Sequence, residues 1–447
     1  MSDTPPVDNS RTDPCDVAII GSGPGGSTVA ALLAERGRRV LLFEKAKHPR
    51  FHIGESLLPF NLPLLDRLGV GEEVRRISMP KYGVEFVSPS HPKPATLEFS
   101  EAWDKSFSLA YQVHRAEFDA ILFRNAVRKG ASAFEECRVN RVDFHNDGAV
   151  IRAQFSNGRE QALETRFVID ASGRDTILAN QFGIKHRDRK HGSAAIFAHF
   201  SGAKRLSGKA EGHISIFWFE HGWFWFIPLA DGATSIGAVC WPYYMRSRKV
   251  GTERFLFDTI ALCPALAERL RHANLISPVT ATGNYSYKAA RTGGKNYLML
   301  GDAFQFIDPV FSTGVFVAMH SAFAAADTVT TCLDRPPAAR AALKSYDASM
   351  RRGPDIFAWF IYRVTAPGMR ELFMAPQKHF RLREALLSVL SGDIFRSTPY
   401  RTRLIAFKAL YYLNSVMHPM QSIGAWRNRR RAIRDPAITV APSGGQP

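Results

Sequence analysis

The stretch that decides the fold is residues 16–26, Asp-Val-Ala-Ile-Ile-Gly-Ser-Gly-Pro-Gly-Gly. Its apolar first half predicts a buried parallel strand, and the alanine- and leucine-rich segment after the glycines predicts a helix to about Arg36, stopped by Gly37. A second apolar strand, Val40 to Phe43, follows. This βαβ order predicts an α/β fold with a doubly wound parallel sheet.

The turn between that strand and helix carries a nucleotide-binding spacing. Gly21, Gly23 and Gly26 stand as G-x-G-x-x-G with Pro24 among them, so backbone N–H groups and a helix N-terminus can approach a pyrophosphate. Glu44 lies 23 residues beyond Gly21, near the spacing of an acidic residue that accepts ribose hydroxyls. The residues predict a dinucleotide site; the alternative is a glycine-rich turn beside a surface carboxylate.

Composition excludes several classes of protein. The 447 residues are 45% hydrophobic and 22% charged, which rules out a fibrous, collagen-like or wholly disordered chain. The net charge of +17 predicts acidic partners. Five scattered cysteines without C-x-x-C predict neither a disulfide framework nor a zinc site, and so a reducing, cytoplasmic location. No signal peptide is expected, and Leu404–Val416 is too short for stable membrane insertion.

The later chain changes pattern twice. Short apolar and aromatic runs from about Ala194 to Trp241 predict a sheet, antiparallel in its pairing. Leu298 to Leu300, followed by Gly301-Asp302, predict a return to the first domain. Beyond Ala338 we expect helices, separated at the prolines Pro354, Pro367, Pro376 and Pro399.

The basic stretch Arg401–Arg434 contains no Asp or Glu. Only Trp426 adjoins its cluster of Arg427, Arg429, Arg430 and Arg431, whereas a nucleic-acid site would interleave several stacking aromatics. We therefore expect no nucleic acid and a solvated or partner-facing helix, with helix packing, dimerisation and transient membrane contact left open. Histidines such as His52, His114 and His320 lack ligand spacing, so no metal is predicted.

Several segments in a fixed order resemble the FAD-contacting segments of one flavoprotein group, which holds aromatic hydroxylases, geranylgeranyl reductases and flavin-dependent halogenases. The segments are Arg50-x-x-x-Gly54-Glu55-Ser56, Arg115-x-x-Phe118-Asp119, Val168 to Arg174, and Gly301-Asp302-Ala303. The resemblance implies that Arg115 reaches the FAD phosphates, that Asp302 lies near the ribityl chain and pyrophosphate, and that Gly54, Glu55 and Ser56 lie beside the flavin ring. It also implies that the following residues bind the cofactor: Glu44, Lys45, Arg50, Pro309, Gly314 and Val315. The alternatives are structural, with Asp170 and Asp302 as helix caps and Arg115 in a surface ion pair.

The resemblance also implies domain boundaries. We expect an FAD-binding domain at residues 14–80, 106–185 and 286–337 and a β-sheet substrate domain at 81–105 and 186–285. A C-terminal helical region is expected at 338–435, with disordered tails at 1–13 and 436–447.

Two motifs are similar to those that mark flavin-dependent halogenases. Trp223, Trp225, Ile227 and Pro228 form W-x-W-x-I-P, in which two indoles on one face of a strand would form a rigid apolar wall. The second motif is Phe306-x-x-Pro309-x-x-Ser312-x-Gly314, and the resemblance places the halide at Ser312, Thr313 and Gly314. The alternatives are a core strand and a plain helix N-cap.

Lys81 occupies the position of the essential lysine of halogenases, although a typical lysine is a solvated surface charge. The resemblance implies that reduced FAD, oxygen and chloride or bromide produce hypohalous acid, which travels to Lys81. Lys81 would polarise the acid or form a haloamine and deliver electrophilic halogen to an aromatic ring. One G-x-G-x-x-G alone predicts that a separate flavin reductase supplies the reduced cofactor.

Phe311 departs from the pattern of tryptophan-type halogenases, which carry a glutamate directly before the Ser-Thr-Gly turn. The departure is similar to halogenases of phenols and pyrroles, and many such enzymes act on acyl groups tethered to acidic carrier proteins, which suits the net charge of +17. The predicted function is an FAD-dependent halogenase in natural-product biosynthesis. A flavin hydroxylase and a reductase of unsaturated lipids are the alternatives.

Overall fold

The computed structural model describes residues 15–188, 191–283, 286–375, 381–396 and 399–434, without the side chains of 421 and 428–434. The two predicted disordered tails, the break at Pro376 and the side chains of Arg429, Arg430 and Arg431 lie outside the described residues.

Two extended sheets contain most of the strands. In chain order the strands are β1 (Cys15–Ile20), β2 (Val40–Phe43), β3 (Ser78–Lys81), β4 (Gly83–Val87), β5 (Ala95–Glu98), β6 (Ala110–Val113), β7 (Ser132–Phe134), β8 (Cys137–His145), β9 (Gly148–Phe155), β10 (Glu160–Asp170), β11 (Lys185–Arg187), β12 (Ala194–Ser201), β13 (Ile214–Phe219), β14 (Gly222–Pro228), β15 (Thr234–Cys240), β16 (Asn274–Leu275), β17 (Thr280–Thr282), β18 (Tyr287–Ala289), β19 (Gly293–Gly294), β20 (Tyr297–Met299) and β21 (Gln305–Phe306).

Helices cover the sheets and form the C-terminal part of the described chain. They are α1 (Pro24–Glu35), α2 (Leu62–Leu68), α3 (Gly71–Arg76), α4 (Arg115–Arg128), α5 (Ile177–Gln181), α6 (Pro242–Arg246), α7 (Thr252–Ala261), α8 (Pro264–Arg269), α9 (Thr313–Asp334), α10 (Ala339–Ile361), α11 (Pro367–Met374), α12 (Leu382–Ser391), α13 (Arg401–Met417) and α14 (Pro419–Arg434).

The first sheet is doubly wound and parallel through its centre, as predicted. Its strands run in the order β20-β10-β1-β2-β7, all parallel, with β1 between β10 and β2. The chain order reverses at β1, because β2 and β7 lie on one side and β10 and β20 on the other. Ligands of such sheets bind at the carboxyl ends of the strands next to this reversal.

Helix α1 confirms the predicted βαβ opening, since it begins at Pro24 directly after the glycine turn and Gly37 follows it with a φ of 76°. It packs against α4 and α9. Helix α9 is long and apolar enough to cross a membrane by length and composition. Its packing against α1 and α10 makes it a core helix of this fold.

The second sheet confirms the predicted β region and adds two strands from an earlier part of the chain. Its order is β16-β12-β15-β14-β13-β4-β5, with β17 beside β12. Pairing is antiparallel except between β13 and β4, and β4 and β5 come from the part of the chain between β2 and β7. A separate two-stranded sheet, β3 with β6, lies next to β4 in the chain and ends at Lys81.

The prediction that Pro354 separates two helices is wrong, because α10 runs through it. An interior proline loses one hydrogen bond and costs about 3 kcal/mol. Burial of Phe357, Phe360 and Ile361 on the same helix offsets that cost. Pro367, by contrast, begins α11 as expected.

Three apolar clusters hold the fold together. One fills the space around the parallel sheet, and a second lies between one face of the second sheet and α10 to α13. A third lies between the other face of that sheet and α7 and α8. The last two described helices carry large exposed apolar side chains: Ile405, Tyr412, Leu413, Val416, Met417, Met420, Ile423 and Trp426.

Candidate functional site

A cavity of about 520 Å³ lies at the carboxyl ends of β1 and β10, where the two main sheets meet. Residues of the glycine turn, the loop before α2, α4, β14 and the start of α9 line it. This volume lies within the usual range for cofactor pockets. The lining includes most of the residues predicted to bind the cofactor or the halide: Gly21, Gly23, Pro24, Glu44, Lys45, Arg50, Gly54, Glu55, Ser56, Arg115, Asp302, Pro309, Ser312, Thr313, Gly314 and Val315.

The glycine turn leaves room for a ligand to approach the protein backbone. Gly21 has a φ of 94°, and a Cβ on it would lie 2.6 Å from the Ala171 carbonyl oxygen. A Cβ on Gly23 would have its nearest neighbour 3.8 Å away, at Arg50 Nη2 across the cavity. Gly26 lies outside the cavity lining; a Cβ there would lie 1.8 Å from the Gly21 carbonyl oxygen. Gly23 therefore keeps the site open, whereas Gly26 lets α1 pack closely on the turn.

Glu44 is buried at the end of β2 and is held by the same turn. Its carboxylate accepts hydrogen bonds from the Ser22 N–H and hydroxyl, at 3.0 and 2.9 Å, and lies 3.4 Å from Arg50 Nη2. Burial opposes the charge, but Arg50 and the Ser22 and Ala46 N–H groups outweigh it and lower the pKa of Glu44 below its usual value. Lys45 lies at the rim, paired with Asp175.

Arg115 is buried, so the alternative of a surface ion pair is wrong. Its Nε and Nη2 donate to the two carboxylate oxygens of Asp119 at 2.8 and 3.0 Å, and Nη1 donates to the Ile53 carbonyl at 3.0 Å. Burial alone would raise the pKa of Asp119, but Arg115 lowers it below its usual value. Asp119 thus fixes the guanidinium at the cavity wall.

The two aspartates that end the parallel strands differ in role. Asp170 accepts the Ser172 N–H at 2.9 Å and the Leu178 N–H at 2.7 Å, so the prediction of a cap is confirmed for it. Asp302 lines the cavity, and burial raises its pKa to about 6 against the charges of Arg174 and Arg115. A carboxyl group in this state can donate or accept a hydrogen bond near neutral pH.

The Ser-Thr-Gly turn presents backbone N–H groups to the cavity. Ser312 is the N-cap of α9 in the left-handed region, with a φ of 56°, and its side chain makes no capping hydrogen bond. The Ser312 N–H donates to the Pro309 carbonyl at 2.9 Å. The first N–H groups of the helix, on Thr313 and Gly314, have no acceptor within the helix and can bind an anion.

The two tryptophans of W-x-W-x-I-P form the predicted wall. Trp223 and Trp225 have ring centroids 6.2 Å apart and line the cavity with Ile227, whereas Pro228 lies at the end of β14 outside the lining. Trp225 Nε1 donates to Ser235 Oγ at 3.1 Å. Gly237 on the next strand leaves space for this indole, because a Cβ there would lie 2.1 Å from Trp225 Cζ2.

Lys81 is 2% exposed, although its residue type is usually on the surface. Its ammonium donates to Ser56 Oγ and to the Leu57 carbonyl, both at 2.9 Å, and lies 5.4 Å from the centre of the Phe99 ring. Among the described residues no carboxylate oxygen lies within 4.0 Å of it. Burial therefore lowers its pKa to about 7. Ser56, its first partner, also lines the cavity.

Sequence reasoning missed a group of titratable residues at the same cavity. Glu55, His114 and His199 bring one ligand atom each within 4.8 Å of one another. They come from the loop before α2, the residue before α4 and strand β12, so no spacing along the chain signals them. Glu55 was expected at the flavin ring, but its two histidine partners were not.

Phe311 lies in an apolar cluster of aromatic side chains. Its ring stacks on Phe373 at 6.1 Å and meets Phe360 edge-on at 6.5 Å. Phe373 in turn contacts Phe86 and Trp218 of the second sheet. This side of the site is aromatic.

Taken together, the donors and glycines fit a dinucleotide. Gly21 to Pro24 and the N-terminus of α1 could hold a pyrophosphate, Glu44 could accept ribose hydroxyls, and Arg115 could meet phosphate oxygens. The Ser312–Gly314 turn lines the same cavity and could hold an anion. Lys81 lies one side chain away, behind Ser56.

Comparison with known proteins gives the family. A family model described as tryptophan halogenase matches residues 93–366, and one described as an NAD(P)-binding Rossmann-like domain matches residues 19–57. The chain is 28% identical to a 1H-pyrrole-2-carbonyl-[peptidyl-carrier protein] chlorinase of Pseudomonas fluorescens, over 85% of this chain and 89% of that protein. It is 31% identical to a flavin-dependent halogenase of Penicillium aethiopicum, over 85% and 74%.

A solved structure agrees with these relatives. The myxobacterial chondrochloren halogenase superposes with a TM-score of 0.76 at 31% identity, covering 92% of this chain and 97% of that chain. A family model over more than half of the chain and relatives along most of its length lead to one conclusion: the chain belongs to the tryptophan halogenase family and is an FAD-dependent halogenase.

Proposed function

We propose that this FAD-dependent halogenase transfers chlorine or bromine to an electron-rich aromatic ring, a phenol or a pyrrole, through Lys81. The observation that carries the proposal is the state of Lys81. It is buried, faces no carboxylate within 4.0 Å among the described residues, and has a pKa of about 7. Such an amine is present in both protonation states near neutral pH.

Bound FAD supplies the reducing equivalents and the site at which oxygen is activated. In this proposal Gly21, Gly23 and Pro24 contact its pyrophosphate, Glu44 its ribose, and Arg115 its phosphates. The other cofactor residues are Gly26, Lys45, Arg50, Gly54, Glu55, Ser56, Asp302, Pro309, Gly314 and Val315. The placement of all but Gly26 on one cavity supports this assignment. The proposed FAD-binding domain keeps the ranges 14–80, 106–185 and 286–337.

The halide would lie at the N-terminus of α9. The N–H groups of Thr313 and Gly314 point their partial positive charge at it, and Ser312 holds the turn. This position supports the oxidation of halide to hypohalous acid inside the cavity, away from bulk water.

Lys81 then acts on hypohalous acid. As an ammonium it donates a hydrogen bond to the acid oxygen and polarises the oxygen–halogen bond. As a free amine it reacts with the acid to give a haloamine and water, and the haloamine exchanges its halogen for the proton of the aromatic ring. Atoms balance in both routes, and the lysine is regenerated.

The substrate class follows from Phe311. A phenyl ring cannot stabilise a cationic ring intermediate as a carboxylate does, so the substrate must stabilise its own, as phenols and pyrroles do. One relative is named as a chlorinase of a pyrrole carried on a peptidyl carrier protein. An acidic carrier would suit the net charge of +17, and we propose a carrier-tethered acyl group as the form of the substrate.

We also propose that a separate, transient flavin reductase provides reduced FAD in the cytoplasm. The chain carries a single G-x-G-x-x-G spacing. The purified protein should therefore not oxidise NADPH at a stoichiometric rate by itself. Rapid oxidation without added reductase would contradict this part of the proposal.

The decisive experiment is a product mass. The enzyme is given reduced FAD, oxygen, chloride or bromide, and a phenol or a pyrrole, both free and as the acyl thioester of a carrier protein. A halogen isotope pattern supports the proposal. A gain of one oxygen instead would favour a flavin hydroxylase. Halogenation of the free substrate alone would contradict the proposal that the substrate is tethered to a carrier protein.

A further inference from the structure

Three titratable side chains lie in a line from the cavity to the surface, and a fourth lies beside the innermost of them. They are Glu55 in the loop before α2, His199 on β12, His114 directly before α4, and Asp231 in the turn between β14 and β15. The proposed mechanism uses Glu55 only as a cofactor contact and leaves the other three without a role.

The inner end of the line is buried. Glu55 is 1% exposed and lines the cavity. Its Oε1 lies 2.8 Å from His199 Nε2, whereas its Oε2 has no hydrogen-bond partner among the described residues. An unpartnered buried carboxylate oxygen is costly unless a ligand or water meets it. Glu55 therefore has one carboxylate oxygen without a protein partner at the wall of the cavity.

The outer end reaches water. His114 Nδ1 lies 4.0 Å from Glu55 Oε1, and its other ring nitrogen, Nε2, lies 3.0 Å from Asp231 Oδ2. The Asp231 side chain is 57% exposed. The rings of His114 and His199 are 5.9 Å apart, so the two histidines flank the same carboxylate.

The carboxylates around His199 favour its protonated form. Burial alone would lower the pKa of His199, but the hydrogen bond to Glu55 and the charges of Glu55 and Asp231 raise it above the usual value. Arg115 is the nearest cation of α4, and its Nη1 lies 3.4 Å from the Gly54 carbonyl oxygen. The Phe51 ring meets His199 edge-on, and Ser277 Oγ accepts the His199 N–H, so neither adds a charge.

We propose that Asp231, His114, Glu55 and His199 form a proton relay that carries a proton from solvent into the cofactor cavity. The inference rests on the proposed function, because that reaction consumes a proton. Reduced FAD, oxygen, halide, one proton and the aromatic substrate give oxidised FAD, halogenated product and two molecules of water. Glu55 itself is buried, so a proton that reaches the cavity through it must be passed along side chains from the surface.

Each step moves one proton. Protonated Glu55 releases its proton into the cavity from Oε2. A rotation of the carboxylate closes the 4.0 Å gap, and His114 Nδ1 passes its proton to Glu55. Before this transfer, neutral His114 with its proton on Nδ1 accepts a proton at Nε2 from solvent, beside the exposed Asp231 carboxylate, so the group that donates to Glu55 is an imidazolium. The transfer leaves neutral His114 with its proton on Nε2, and exchange of the tautomer restores the Nδ1 proton. His199 holds the Glu55 carboxylate in place and stabilises its charge between steps.

The first test is His114→Ala in the full-length enzyme supplied with FAD and reductase. His114 makes no side-chain capping bond to α4, so the substitution spares the fold. We expect halogenated product to form at least ten times more slowly at pH 8.5, with a smaller loss at pH 6, where protons are plentiful. Free imidazole should restore the rate, and the affinity for FAD should stay within twofold.

The matched control is His145→Ala, which removes a histidine from an exposed pair with Glu164 on the first sheet. It should leave rate and pH profile unchanged. If His114→Ala halogenates at the wild-type rate across this pH range, or if imidazole does not restore its rate, the relay is wrong while the halogenase assignment stands. If wild-type enzyme makes no halogenated product, the proposed function fails and the relay with it.

The second test needs no activity. In cofactor-free protein, NMR of the imidazole nitrogens should show His199 titrating above the usual histidine range. Glu55→Gln should bring that titration down, and Asp231→Asn should lower it by a smaller amount. Independent, unshifted titrations would overturn the relay. So would binding of one equivalent of zinc or ferrous ion at micromolar concentration that Glu55→Gln abolishes, since the cluster would then be a metal site.

Discussion

Two buried cations, Arg115 and Lys81, lie on either side of the Gly54–Ser56 segment, and the protein treats them in opposite ways. Arg115 is held by both oxygens of Asp119 and by a backbone carbonyl. Among the described residues, the Lys81 ammonium donates only to a hydroxyl and a carbonyl oxygen. Pairing fixes the position of the Arg115 guanidinium, whereas burial without a carboxylate partner lowers the pKa of Lys81 to about 7.

The difference matches two tasks. A group that binds phosphate must remain charged and rigid, which a guanidinium clamped by a carboxylate achieves. A group that exchanges halogen must release its lone pair, which desolvation of an ammonium achieves. The variants below are chosen to break or sharpen this contrast.

The largest effect is expected for Lys81→Ala. Halogenated product per reduced flavin should fall on the order of 100- to 10,000-fold, because the group that delivers the halogen is gone. Oxygen consumption and bound FAD should remain near wild type, since Lys81 contacts no phosphate in the proposal. Lys81→Arg should fail as well, because a guanidinium cannot deprotonate. Near wild-type yield from Lys81→Ala would make the lysine structural.

Arg115→Met tests the paired cation. Removing one partner of a buried ion pair leaves Asp119 uncompensated and should lower the free energy of unfolding by about 3–5 kcal/mol. The double variant Arg115→Met with Asp119→Leu should recover much of that loss. FAD binding, followed by flavin absorbance, should stay weak in the double variant. Restored FAD binding would show that Arg115 has only a structural role.

Lys81→Met should raise the free energy of unfolding, whereas Arg115→Met should lower it. The pKa of Lys81 in the folded protein, about 7, lies below the ordinary lysine value, so the folded state holds fewer protons than the unfolded state between about pH 7 and 10.5. The wild type therefore gains stability as pH rises through this window. We expect the free energy of unfolding of Lys81→Met to exceed that of the wild type by about 4 kcal/mol at pH 6, and this advantage to vanish near pH 10.

The check is a set of urea unfolding curves from pH 6 to pH 10. The surface lysine variant Lys105→Met serves as the control and should show no pH-dependent gain. A constant difference between wild type and Lys81→Met across the range would mean that Lys81 keeps its ordinary pKa.

The smallest effect is expected at the halide turn, which lies beyond both cations. Ser312 adopts a left-handed conformation without a capping bond, so Ser312→Gly should raise the free energy of unfolding by about 0.5–1 kcal/mol. Because the proposed halide donors are backbone N–H groups, the KM for bromide should change less than threefold. A large rise in KM would mean that the hydroxyl itself binds halide.

The sequence predicted the parts of this molecule that depend on local pattern. The glycine turn, β1, α1 and β2 follow from periodicity and glycine placement, and the W-x-W wall follows from alternation along one strand. The burial of Lys81 cannot be predicted from local pattern, because lysines usually lie on the surface. It becomes visible only when β3, which ends at Lys81, pairs with β6. The cluster of Glu55, His114 and His199 could not be predicted, because β12, α4 and the loop before α2 are far apart in sequence. The predicted helix break at Pro354 is wrong because tertiary packing of α10 outweighs the local cost of a proline inside a helix.

The exposed side chains of α13 and α14 have a consequence for how well the enzyme contains its oxidant. Met420 is 87% exposed and Met417 is 60% exposed. Hypohalous acid that escapes the cavity converts a thioether to a sulfoxide and leaves as halide and a proton. The amount of sulfoxide at these two methionines therefore records how much hypohalous acid has escaped from the cavity. Their sulfoxide content, read by peptide mass after turnover, compares how tightly different substrates couple oxidant to product.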